Sequence, residues 1–124
     1  MEKLRILVAD DEQYIRLLAS RLLSGKFAVL EASDGAEAVD MARKYKPSLI
    51  LMDIMMPNMD GYAACSTIKA DQSTKNIPVL MLTGLSFELN KDYAAMVGAD
   101  GYITKPFTLK KLLHAIGKVI KIPK

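Results

Sequence analysis

Asp10 and Asp11, Asp53, Thr83 and Lys105 each stand at the end of a short apolar run: ILVADD, LILMD, VLMLT and GYITK. If these runs are parallel strands, their ends share one rim, and three carboxylates converge there beside a hydroxyl and an ammonium. Clustered carboxylates repel one another unless something neutralises them. Oxygen ligands with no His or Cys nearby suit a hard cation. Mg²⁺ fits best, with Mn²⁺ as a substitute, because it keeps several waters and binds through one or two carboxylates plus phosphate oxygens. A carboxylate can accept a phosphoryl group covalently when a metal and a lysine neutralise the incoming charge. Asp53, the one charge in LILMDIMMP, is the best-placed nucleophile.

The elements that must position these groups follow from the pattern. Short β-branched or leucine-rich runs alternate with segments of helical period, which predicts βαβ units around a parallel sheet. The strands are expected at Arg5–Ala9, Ala28–Ala32, Leu49–Met52, Val79–Leu82 and Gly101–Thr104. Their nearly continuous apolar character predicts cover on both faces. Ile15, Leu18, Ala19 and Leu22 form one helical stripe, and Ala38, Val39, Ala42 and Tyr45 a second. Less regular helices are expected around Tyr62–Ala70 and Leu89–Val97. A final helix should bury Leu109, Leu112, Leu113, Ile116, Val119 and Ile120. Right-handed crossovers then give an open α/β sheet with helices on both faces and its site at the carboxyl ends of the strands.

The 124 residues suffice for one domain, expected to span 1–124, with 51% hydrophobic and 25% charged residues. A net charge of +3, with basic residues dispersed apart from a lysine-rich C-terminal end from Lys105 to Lys124, is weak support for nucleic acid, and no helix-turn-helix segment is found. The lone Cys65 cannot form an internal disulfide, and Met1-Glu2-Lys3 opens into a strand without a signal-peptide core, so a cytoplasmic location is expected. No apolar run nears the ~18 residues of a membrane span.

In order and spacing, VADDE, LILMDIMMPNMDG, MLTG and YITKPF resemble the receiver domain of two-component response regulators, of the chemotaxis-regulator kind. Asp53 lies 42 residues beyond Asp11, Thr83 30 further and Lys105 22 beyond that. The resemblance covers essentially the whole chain. It implies a flavodoxin-like, doubly wound (βα)5 fold with strand order 2-1-3-4-5. It further implies that Asp53 accepts a phosphoryl group from a histidine kinase or phosphotransfer protein, and that Asp10, Asp11, Asp53 and the backbone carbonyl of Met55 hold Mg²⁺. Lys105 would pair with phosphoryl oxygens, Thr83 would hydrogen-bond one of them, and Tyr102 would turn inward as an aromatic switch. The changed surface on helix four, strand five and helix five would control a partner or fused output domain. Such a domain catalyses only its own phosphorylation and dephosphorylation. Lys105-Pro106 matches a peptide bond that is often cis in the family.

Plainer roles compete residue by residue. Asp10, Asp11 and Glu12 could merely favour a helix N-terminus, with Glu12 in its first turn. Cys65 reads as a packed thiol, His114 as a solvated side chain, and Met52, Met55, Met56 and Met59 as packing or rim residues. Met55 and Leu85 stand where bulk could shield an acyl phosphate from water. An aspartate-nucleophile phosphatase would resemble D-x-D, but its second position here is Met55. A docking module independent of phosphorylation would not need the full set of polar residues.

Overall fold

The computed structural model describes residues 3–84 and 91–122. Five strands, β1 (Leu4–Ala9), β2 (Phe27–Ala32), β3 (Leu49–Asp53), β4 (Val79–Thr83) and β5 (Gly101–Thr104), alternate with helices α1 (Gln13–Leu23), α2 (Gly35–Tyr45), α3 (Gly61–Ala70), α4 (Lys91–Met96) and α5 (Leu109–Gly117). All neighbouring strands are parallel, in the order β2-β1-β3-β4-β5. This is the flavodoxin-like α/β arrangement expected from the sequence.

The period-2 alternation of the strands divides the core in two. Leu7, Ile50, Met52, Val79 and Met81 face one side and pack with Ala38, Val39 and Ala42 of α2 and Ala64, Cys65 and Ile68 of α3. Ile6, Val8, Leu49, Leu51, Leu80, Leu82 and Ile103 face the other, against Ala19 and Leu23 of α1 and Leu112 and Ile116 of α5. Strands β3 and β4 are buried throughout, whereas the edge strands expose Ala28 and Glu31 of β2 and Tyr102 and Thr104 of β5. The reading of strands covered on both faces therefore holds at the centre and fails at the edges, where only one neighbouring strand is present.

Side-chain caps fix where helices start. Asp34, Asp60 and Thr108 accept from the backbone N–H three residues on, opening α2, α3 and α5. Glu12 is the N-cap of α1 rather than a first-turn residue, and its side chain makes no capping bond. Helix α5 stops at Gly117; Val119 continues as a turn whose N–H donates to Ile116 O, and Leu109 is exposed instead of buried. Leu89, the expected start of the fourth helix, lies outside the described residues.

Gly61 sits where α3 approaches the end of β3, and its N–H donates to Ile54 O at 2.8 Å. A Cβ there would lie 2.0 Å from the Asp53 carbonyl oxygen. Backbone cannot yield as a side-chain tip can. Gly61→Ala should therefore lower stability by about 2–3 kcal/mol, seen as a lower urea midpoint with unchanged slope.

Candidate functional site

Strand register brings the acidic residues together. Val8 pairs with Leu51 across β1 and β3, so two residues further along each strand Asp10 and Asp53 end up level on adjacent chains. They share the parity of the residues facing α1 and α5. Lys105 has that same parity, two residues beyond Ile103, and its N–H donates to Thr83 O at 2.7 Å, extending the β4–β5 ladder past the strand end. The Lys105-Pro106 peptide is cis.

The result is a compact ionic cluster. Lys105 Nζ donates to Asp10 Oδ2 at 2.9 Å and to Asp53 Oδ1 at 3.0 Å. Asp10 is fully buried and Asp53 nearly so, while Asp11 is exposed at the mouth. Carboxylate oxygens of all three lie within 4.8 Å of one another. Burial and, next, the neighbouring Asp10 push the Asp53 carboxyl up to about 6; Lys105 opposes this and Asp11 adds to it. Burial disfavours the charge on Lys105, but its hydrogen bond to Asp10 and the charge of Asp53 outweigh that and raise its pKa. One ammonium thus only partly offsets three carboxylates. A hard divalent cation is the complement that such an all-oxygen donor set fits.

The remaining predicted residues surround the cluster. Asp11, Glu12, Asp53, Met55, Gly84 and Lys105 line an open cleft of about 360 Å³. Met55 is 64% exposed at its rim, and Leu85, the other expected shield, lies outside the described residues. The Thr83 hydroxyl is buried and has no hydrogen-bond partner among the described residues. Tyr102 is 44% exposed, its ring 5.3 Å from Lys91 Nζ, and so stands away from the core. Cys65 is buried, and burial pushes its thiol up to about 11, in keeping with a packing role; His114 is exposed. Met52 is in the core, and Met56 and Met59 pack at its margin.

Two features of the site were not visible in the sequence reading. Arg16 donates from Nη1 to the Asp10 carbonyl at 2.8 Å. Asn58, with a left-handed φ of 67°, donates to the Asp34 carboxylate at 2.8 Å and ties the loop after Asp53 to the start of α2. The Pro57-Asn58 pair, a local turn signal, could have pointed to the second; no local spacing points to the first.

A five-stranded parallel sheet carrying an acidic cluster, a hydroxyl and a lysine on its carboxyl rim defines a class of phosphoryl-responsive regulatory domains. The chain belongs to the response regulator receiver domain family, whose model matches residues 6–117, and it is a receiver domain of two-component signal transduction. It is 39% identical to the chemotaxis protein CheY of Halobacterium salinarum over 94% of this chain and 96% of that protein. It is 38% identical to the probable transcriptional regulator ycf27 of Porphyridium aerugineum over 98% of this chain, and spans about half the length of that relative, 50%. Among solved structures it resembles the receiver domain of the sensor histidine kinase PA1611 from Pseudomonas aeruginosa, which has a magnesium ion in its active-site cleft. That likeness has a TM-score of 0.87 and 25% identity, covering 94% of this chain and 97% of the other. Receiver domains are regulatory and typically bind Mg²⁺, and the cluster of Asp10, Asp11 and Asp53 is of a kind that can hold a metal ion. No helix of the described residues is long and apolar enough to cross a membrane.

The raised Asp53 value has a defined consequence in metal-free buffer. Folding favours the neutral carboxyl, so the contribution of this group to stability is full below its ordinary value of 3.8 and is lost as pH rises through about 6. The carboxyl carbon of Asp53 should titrate near 6 by NMR, and Asp10→Asn should shift that midpoint downward by removing the second-largest cause of the rise.

Proposed function

We propose that Asp53 is the phosphoacceptor of this domain and that Asp10, Asp11, Asp53 and the Met55 carbonyl hold Mg²⁺, or Mn²⁺ in its place. The observation carrying this reading is Lys105 Nζ bridging Asp10 and Asp53 in a near-buried cluster that one ammonium cannot neutralise. The bound cation would supply positive charge for the incoming phosphoryl oxygens. An Asp53 oxygen attacks phosphorus in line. A P–O bond forms as the P–N bond of a donor phosphohistidine breaks, and the electron pair leaves with the donor nitrogen. Lys105 then pairs with a phosphoryl oxygen. The Thr83 hydroxyl, buried and without a partner among the described residues, donates to another and so gains the bond that a buried polar group needs.

Movement of Thr83 toward the phosphoryl group opens the inward position to Tyr102. Phosphorylation then biases two states by the difference in its contacts with each. The responding surface is α4, β5 and α5, where a cavity of about 410 Å³ is lined by Leu80, Gly101, Tyr102, Lys118 and Val119. The donor is a histidine kinase or phosphotransfer protein, and the listener is a separate effector or a fused output domain, not nucleic acid or membrane. The domain spans residues 1–124 and acts in the cytoplasm. It turns over no external substrate beyond its own phosphorylation and dephosphorylation.

Intact-mass analysis after incubation with a small acyl-phosphate donor and Mg²⁺ tests the assignment. The parent should gain one phosphoryl group and Asp53→Ala none. A parent that gains none, or a variant that gains one equally well, would leave a docking module independent of phosphorylation as the better reading.

A further inference from the structure

Arg16 lies on α1, six residues after Asp10, yet its guanidinium is drawn back to the loop before the helix and its side chain is only 16% exposed. Nη1 donates to the Asp10 carbonyl at 2.8 Å, and Nε donates to Glu31 Oε1 on β2 at 3.2 Å. Every polar group of Asp10 is thereby engaged. Its N–H donates to Ala32 O at 3.1 Å, Oδ1 accepts from Glu12 N at 2.9 Å, and Oδ2 accepts from Lys105. The Asp10 carbonyl and the Asp11 N–H belong to one planar peptide. A bond that fixes that oxygen also fixes the plane from which the exposed Asp11 side chain departs.

We infer that Arg16 is a positioning residue for divalent-cation binding: it clamps the Asp10–Asp11 peptide, and Glu31 anchors the clamp to β2. This rests on the reading of Asp10, Asp11 and Asp53 as the cation site. Charge alone predicts the opposite effect, because a guanidinium beside a cation site repels the ion and its removal would tighten binding. Positioning predicts weaker binding, by about tenfold, the low end for partners that orient a metal ligand.

Mg²⁺ titration calorimetry on the parent, Arg16→Met, Arg16→Lys, Glu31→Gln and Arg43→Met separates the two, with urea unfolding confirming that each is folded. Arg43 pairs with Asp71 near the far end of α2, so its variant should bind as the parent does. Arg16→Met should bind about tenfold more weakly. Arg16→Lys, which keeps one donor, should recover part of that loss, and Glu31→Gln should fall between Arg16→Met and the parent. A folded Arg16→Met that binds Mg²⁺ as tightly as the parent, or more tightly, overturns the inference. Should Arg16→Met fail to fold, parent-like affinity in both Arg16→Lys and Glu31→Gln overturns it. A parent without Mg²⁺ affinity, or an Asp11→Asn variant that binds like the parent, instead overturns the cation site on which the inference rests.

Discussion

The contact on which the rest of this structure depends is the ammonium of Lys105 held between Asp10 and Asp53. It joins three strand ends, from residues 95 and 52 positions apart in sequence, into one near-buried cluster. Taking such charges out of water costs several kcal/mol per ion unless geometry and further hydrogen bonds repay it. Here the compensation is incomplete: three carboxylates face one ammonium, and burial together with the neighbouring Asp10 pushes the Asp53 carboxyl up to about 6. The same imbalance that weakens the isolated domain creates its demand for added positive charge.

The surrounding fold serves to keep that cluster in place. Parallel register sets Asp10 level with Asp53, and two separate apolar layers hold the sheet from both sides. The loop after β3 is pinned by Gly61 against the Asp53 carbonyl and by Asn58 against Asp34. On the opposite flank Arg16 and Glu31 tie the Asp10 carbonyl to α1 and β2. Two groups of the proposed switch stand apart from these ties: the Thr83 hydroxyl, buried and without a hydrogen-bond partner among the described residues, and the Tyr102 ring, which lies outside the core.

Much of this was legible in the sequence because apolar runs and polar punctuation are local signals. The five strands lie where they were expected to within one residue at each end, and the polar residue after each run marks the rim. The residues expected to converge at the site, Asp10, Asp11, Asp53 and Lys105, do so. Strand order came from the family resemblance and not from any run of residues, and the exposure that follows from it was not legible in the runs themselves. Exposure of Glu31 and Tyr102 reflects edge positions, which no run of residues encodes. The bond from Arg16 to the Asp10 carbonyl arises only once α1 folds back over the β1 exit and Glu31 arrives from β2. Exposure of Leu109 likewise follows from how α5 sits on the sheet, not from its apolar stripe.

If the domain is phosphorylated as proposed, the phosphoryl group is carried by the Asp53 carboxylate. Borohydride reduction of the phosphorylated chain, followed by peptide mapping, locates it, because hydride displaces phosphate from an aspartyl phosphate and reduces the acyl carbon to the alcohol of homoserine. Homoserine should appear at position 53 alone, and only after exposure to a phosphodonor with Mg²⁺. Homoserine at position 10 or 11, or an unmodified residue 53 in a chain that has gained a phosphoryl group, would rule out Asp53 as the acceptor.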